Sequence, residues 1–267
     1  MIPASPKRQS EAPSGSSRIP DNVLFPYGKQ RIEESSGFLR WVLSWMPYHF
    51  YLALRHEAHL VKTRVRHTLR GHRVPAGLDL LVNLGCGGTG QEGWVNVDMY
   101  GGPNVNLVYD VRKRLPLRSG SAKGIFCEHF LEHLEYSEEV PFFIAECYRL
   151  LKPGGVLRLI VPDGEAYLRA YCSGGWEALA RIRPLHEGRK DYWYGNRFET
   201  RMELINLVFR QGTEHKFAYD WETLGTVLAK HGFSAIVRAS YGQGYLPELI
   251  IDKRARASES LYVEAVK

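Results

Sequence analysis

The stretch LLVNLGCGGTGQEGWVNVD, residues 80–98, places Gly85, Gly87, Gly88 and Gly90 just after an apolar run and closes on Asp98. Glycines lack a Cβ, so a ligand can approach the backbone at the carboxyl end of a strand, and an acid ending the next strand can accept two ribose hydroxyls. Gly85, Gly87 and Gly90 fit G-x-G-x-x-G literally, which raises a dinucleotide, another adenosine-type ligand or a plain turn. Two details count against the dinucleotide. Asp98 follows Gly85 by only thirteen positions, too few for an intervening helix. The run QEGW also breaks any helix that the glycines begin, so no helix N-terminus is there to hold a pyrophosphate. Asp110 closes another short apolar run, VNLVYD, and is positioned to accept from an adenine amino group.

A second set of residues could move protons. His129 lies two residues past the apolar run KGIFC, with Glu128 and His133 close by in EHFLEHL; Asp163 ends the run VLRLIVPD; His215 sits in TEHKFAYD. An aliphatic hydroxyl is a poor nucleophile and gains from a positioned base. His129 or His215 is expected as that base, with Asp163 orienting it or binding the acceptor. The plainer roles are helix packing for His133 and an N-cap for Asp163. Asp163, Glu214 and His215 have no spacing that demands a metal, so a divalent ion is allowed but not indicated. The stretch 164–218 is expected to cap the acceptor. It carries Tyr167, Tyr192, Trp193 and Arg197 among further aromatics and arginines. Aromatic faces with polar neighbours suit a sugar ring, the arginines would suit an acidic acceptor, and an aromatic small molecule would fit as well. The competing expectation is that these aromatics form a satellite core.

The elements that must position these residues alternate. LDLLVNLG, WVNVD, VNLVYD, KGIFC and VLRLIVPD read as strands, with SAIVRAS and SLYVEAVK near the end. SEEVPFFIAECYRLLKPGG repeats apolar residues at helical spacing, with Ser137 as the expected N-cap and Pro153 and Gly154 as the stop. DWETLGTVLAKHGF reads as a further helix. This pattern predicts an α/β fold with a doubly wound, mostly parallel sheet. Residues 1–30, rich in Ser and Pro, are expected to be a disordered tail. Residues 31–75 are expected to be a basic helical extension, broken at Pro47, that packs Leu60, Val61, Val65 and Leu69 on the domain. Its residues 38–73 could alternatively contact a membrane surface or a polyanion. Residues 76–267 form the main domain. The 267 residues carry a net charge of +6 and four cysteines without metal spacing, which points to reduced thiols and a soluble cytoplasmic protein without a secretory signal. No motif for nucleic acid is present, and none is expected as a partner.

Taken together, NLGCG, GWVNVD, EHFLEHL, RLLKPGG and VPD resemble the class I S-adenosylmethionine-dependent methyltransferases over residues 78–165. The likeness is nearest to a branch often found with polysaccharide and glycoconjugate enzymes. It implies a Rossmann-like fold, S-adenosylmethionine as cofactor and methyl transfer to a hydroxyl of a sugar or glycoconjugate. By the resemblance, Gly85, Cys86, Gly87 and Gly88 pass the methionine part of the cofactor, Asp98 holds the ribose diol, and Asp110 with Val111 holds the adenine. Asn83 stands where many members carry an acid, so the methionine ammonium must find acceptors near Gly85 and in the loop containing Glu128 and His129. Two rival readings are an oxidoreductase using NAD and a silent scaffold of the same fold.

Overall fold

The computed structural model describes residues 48–70, 77–88, 90–186, 188–191 and 197–267, with Gly37, Trp41 and Trp45. The expected tail at residues 1–30 and the break at Pro47 lie outside the described residues, as do Tyr192 and Trp193. Helix α1 (Tyr48–Arg70) precedes strands β1 (Leu80–Leu84), β2 (Val95–Asp98), β3 (Leu107–Val108) and β4 (Ala122–Glu128). Helix α2 (Glu139–Leu150) leads directly into β5 (Leu151–Pro162). Next come α3 (Gly164–Cys172), α4 (Trp176–Ile182), the short hairpin β6 (Leu185–His186) and β7 (Lys190–Asp191), and α5 (Arg201–Arg210). Helix α6 (Trp221–Lys230), β8 (Ser234–Ala239) and β9 (Ser260–Val266) complete the chain.

The main sheet has seven strands in the order β3-β2-β1-β4-β5-β9-β8. Strands β1 to β5 run parallel, while β9 lies antiparallel between β5 and β8. Parallel pairing brings the carboxyl ends of β1, β2, β4 and β5 to one edge, and the antiparallel β9 brings its first residue, Ser260, opposite Pro162 at that same edge. Alternate strand residues part to two faces. Leu84, Val97, Ile125, Leu159 and Val263 pack with Phe143 and Ile144 of α2 and Leu224 and Leu228 of α6. Trp94, Phe126, Ile160 and Tyr262 face the other way and are covered by Leu246, Leu249 and Ile251.

Three local expectations change. Ser137 does not cap α2: Glu138 is its N-cap, without a side-chain bond, and the backbone N–H groups of Ser137 and Glu138 donate to the Glu135 carboxylate instead. The described part of the segment 164–218, expected to cap an acceptor, builds a core of its own: its three helices and hairpin bury Tyr167, Leu179, Phe198, Leu204 and Leu207. Asp163 caps α3 through Ala166 N–H, and Thr200 and Glu203 form a reciprocal capping box on α5. Helix α1 docks differently from its apolar pattern. Leu60 is buried, but Val61 and Val65 remain half exposed, because the face toward the domain is chosen by polar groups.

Candidate active site

The glycine turn closes without a helix. Gly85 donates its N–H to Val97 O, and β2 begins only at Val95. The link is so short because Asn96, 1 % exposed, organises it. Its side chain accepts from Gln91 N–H and donates to the carbonyls of Gln91, Trp94 and Asn104. A buried amide thus satisfies turn carbonyls that a helix would otherwise bond internally. Sequence reasoning missed Asn96; its signal was a polar residue in the middle of the apolar run WVNVD. The glycines divide into two kinds. A Cβ on Gly85 would run into the Phe130 ring, and one on Gly90 would meet Asn96 and Asn104 O. A Cβ on Gly87 or Gly88 would meet nothing within 4 Å. Only this second pair borders open space.

Asp98 ends β2 against that space. Its Oδ2 accepts Gly87 N–H at 2.8 Å and its Oδ1 accepts Tyr100 N–H at 2.9 Å, which leaves lone pairs on both oxygens. Cys86, beside it, is half-buried, and burial together with the Asp98 charge pushes its thiol up to about 11. Asn83 is buried in β1, paired with Asn96 on β2 and Phe126 on β4.

Asp110 is engaged elsewhere. Its Oδ1 accepts from Arg112 N–H and Arg112 Nε at 3.1 and 3.0 Å, and its Oδ2 accepts from Arg64 Nε at 2.9 Å and from the same guanidinium's terminal nitrogen. Burial works against ionisation, yet Arg112 and Arg64 hold this carboxyl below the usual range. Arg112 also reaches Glu57 of α1 and Glu139 of α2, and His59 Nε2 bonds Met99 O at 2.7 Å. The expected adenine acceptor is therefore the anchor of α1, and Val111 is buried in the main core.

The edge after β4 gathers the histidines. His129 adopts φ +50°, a left-handed backbone uncommon outside glycine, with its N–H donated to Ile160 O. Its Nε2 lies 2.8 Å from Ser260 Oγ, and its Nδ1 lies 3.3 Å from Glu132 Oε1. Glu132 sits in the 3-10 turn Leu131–His133 and is 1 % exposed, and its Oε2 has no hydrogen-bond partner. Burial favours its neutral form, but the His129 ring against it and the adjacent His133 and His215 bring it down to about 2. His133 Nδ1 bonds Glu214 O at 3.2 Å and His215 Nδ1 bonds Val208 O at 2.6 Å. Their rings meet edge to face at 4.8 Å. Burial lowers His215 to about 4. A cavity of about 70 Å³ opens among His129, Glu132, His133, His215, Arg183, Arg256 and Glu259. Glu128, by contrast, accepts Lys253 N–H at 3.0 Å and anchors the segment before β9.

The remaining expected residues fall away from this cavity or into cores. The Asp163 carboxylate caps α3 and pairs with Arg238 at 2.7 Å, so its charge is already answered. Tyr167 does not line an acceptor surface. It is fully buried, and its hydroxyl donates to Glu259 Oε2 at 2.8 Å, an oxygen that Arg183 also reaches. Arg197 is exposed beside the hairpin. The satellite-core expectation thus holds for Tyr167 and Phe198.

Glycine turn, acid at the end of the second strand and imidazoles after the fourth share the carboxyl edge of a mostly parallel sheet. Such an edge is the ligand site of Rossmann-like folds, and the order β3-β2-β1-β4-β5-β9-β8 is a doubly wound, mostly parallel sheet of that kind. Residues 97–159 match the family model described as a methyltransferase domain. Over those residues, about a quarter of its length, the chain is similar to methyltransferase domains, and the motifs within the match agree with that likeness. No curated protein matched the chain. Among solved structures it is similar to a SAM-dependent methyltransferase from Archaeoglobus fulgidus at 17 % identity and a TM-score of 0.43, covering 81 % of this chain and 100 % of that one. One from Mesorhizobium loti shares 19 % identity with a TM-score of 0.42, over 73 % of this chain and 94 % of its own. The 1,6-didemethyltoxoflavin-N1-methyltransferase of Burkholderia thailandensis shares 14 % identity with a TM-score of 0.38, over 97 % and 93 %.

Proposed function

We propose that the chain methylates a hydroxyl of a sugar or glycoconjugate, with His129 as general base. The observation that carries this reading is the His129 ring at the carboxyl end of β4, held between Ser260 Oγ and Glu132. S-adenosylmethionine, when bound, supplies an electrophilic methyl group. The open space at Gly87 and Gly88 fits its methionine part, and Asp98 has the lone pairs to accept a ribose diol. The Asp110 carboxylate already accepts from Arg64 and Arg112, so this reading does not give it the adenine. Glu132 facing Nδ1 favours the tautomer with a proton there, which leaves Nε2 basic. Ser260 Oγ stands 2.8 Å from Nε2; an acceptor hydroxyl that took its place would give its proton to Nε2 as its oxygen bonded the methyl carbon and the carbon–sulfur bond broke, with S-adenosylhomocysteine as the leaving group. His215, at about 4, is a poor base at neutral pH. A base is what a hydroxyl needs and an amine or thiol needs less, and the sequence resemblance supplies the sugar. An oxidoreductase using NAD is disfavoured because the described residues between Gly85 and Val95 form no helix.

The test is calorimetry of the purified chain with S-adenosylhomocysteine and, in parallel, NAD⁺, followed by labelled-methyl transfer to a panel of saccharides. Binding of the first alone is expected. His129→Ala is expected to keep that affinity while slowing transfer by about 10²–10⁴-fold; wild-type turnover in this variant would sink the base assignment. A second reading is supported by the exposed side chains of Trp41, Trp45, Phe50 and Leu54: peripheral contact of residues 38–73 with an anionic membrane.

A further inference from the structure

We propose that Glu132, His133 and His215 form a binding site for a divalent transition-metal ion of the zinc type. One ligand atom from each residue lies within 4.8 Å of the others, close enough for a single ion to draw them in. The two imidazoles are set up as ligands. A backbone carbonyl can only accept, so the bonds from His133 Nδ1 to Glu214 O and from His215 Nδ1 to Val208 O put a proton on each Nδ1. Each Nε2 is left with a bare lone pair. Holding a ligating histidine by its other nitrogen is how metal sites orient the ring and fix its tautomer.

Glu132 is the independent observation. It is 1 % exposed; its Oε1 faces His129 Nδ1 at 3.3 Å, and its Oε2 has no hydrogen-bond partner. Buried carboxylates are otherwise paired, hydrogen-bonded or bound to metal. Its neighbours in the cavity cannot serve it: Arg183 is taken by Asp191 and Glu259, and Arg256 by Glu259. His129 approaches Oε1 only, which leaves Oε2 without a partner. Two imidazole nitrogens and one carboxylate oxygen suit zinc, and also cobalt, nickel or iron, better than magnesium or calcium. Three protein ligands leave a fourth position, and the adjoining cavity of about 70 Å³ has room for a water there. The ligands come from two elements, the turn after β4 and the loop after α5, already joined by Lys216 N–H donating to Glu132 O at 2.7 Å. An ion would fasten the helical cap to the sheet edge. This inference stands whether or not a sugar is the acceptor.

The test uses untagged full-length chain, stripped with chelator and titrated calorimetrically with Zn²⁺, and with Co²⁺ read by visible absorption. One ion per chain is expected, with His215→Ala and His133→Ala each weakening binding by at least tenfold and Glu132→Gln doing the same. Circular dichroism of each variant establishes that it is folded. Should His215→Ala fail to fold, His133→Ala, at a half-buried position, and the Co²⁺ spectrum of the wild type decide. A tetrahedral nitrogen–oxygen spectrum supports the site. A thiolate charge-transfer band would assign the ion to cysteine and overturn it, as would sub-stoichiometric binding or affinity unchanged in folded variants.

Discussion

At the residue scale, glycines that look equivalent in the motif do different work. Gly85 and Gly87 both have φ +69°, but only Gly85 is pressed against another side chain, the Phe130 ring. Gly87→Ala is expected to cost about 1–2 kcal/mol through its left-handed backbone alone. Gly85→Ala should add about 1–3 kcal/mol of overpacking. Urea denaturation measures both, and equal losses would mean that Phe130 gives way freely. Asp98→Ala removes the carboxylate that fixes Gly87 and faces the proposed ribose. It should weaken S-adenosylhomocysteine binding by about 1.5–3 kcal/mol, the worth of a charged hydrogen bond. Unchanged affinity by calorimetry would remove Asp98 from the site. The turn at the glycines and the place of Asp98 at the end of β2 were legible in the sequence because they depend on neighbours within a few positions. The separation of Gly85 from Gly87 was not, since Phe130 lies forty-five positions along.

At the element scale, the placement of α1 is electrostatic. Its apolar positions Leu60, Val61 and Val65 predict which side should be buried, yet the ion pairs Arg64–Asp110 and Arg112–Glu57 and the bond from His59 to Met99 O orient it. Because Asp110 is depressed in the folded chain, its contribution to stability is present above the unfolded carboxyl value of about 3.9 and is lost as pH falls through its lower folded value. Asp110→Asn is therefore expected to lower the thermal midpoint at neutral pH, with the gap to wild type closing as the medium is acidified below about pH 4. A gap that stays constant with pH would show that the pairing adds nothing through charge. Helix α2, by contrast, was legible in its body, since its 3.6-residue apolar period is what its burial uses; it ends at Leu150, and Pro153 and Gly154, expected to stop it, lie in β5. Its start was misplaced only because a carboxylate, Glu135, took the N–H groups offered to Ser137.

At the scale of the whole molecule, one edge of the sheet gathers the chemistry, while the described residues outside it leave Trp41, Trp45, Phe50 and Leu54 exposed. No helix among the described residues is long and apolar enough to cross a membrane. If residues 38–73 meet an anionic surface, the chain should sediment with vesicles containing phosphatidylserine but not with neutral ones. Trp45→Ser with Phe50→Ser should reduce that binding severalfold. Equal sedimentation of both forms would leave these side chains without that role.

What the sequence by itself determined is the set of features carried by local pattern: the strands from their apolar runs, α2 and α6 from their period, the glycine turn, Asp98, and the methyltransferase motifs. What only the tertiary structure decided is how distant polar groups pair. Asp110 pairs with Arg64, Tyr167 donates to Glu259, and Glu132, which the sequence did not single out, meets His133 and His215 in one cavity. The reason is physical. Burial of apolar surface is non-directional and repeats with the period of the backbone, so it is written along the chain. A buried charge must be met by a particular partner at hydrogen-bond distance, and only the folded chain brings residues 132 and 215, or 167 and 259, within reach of each other.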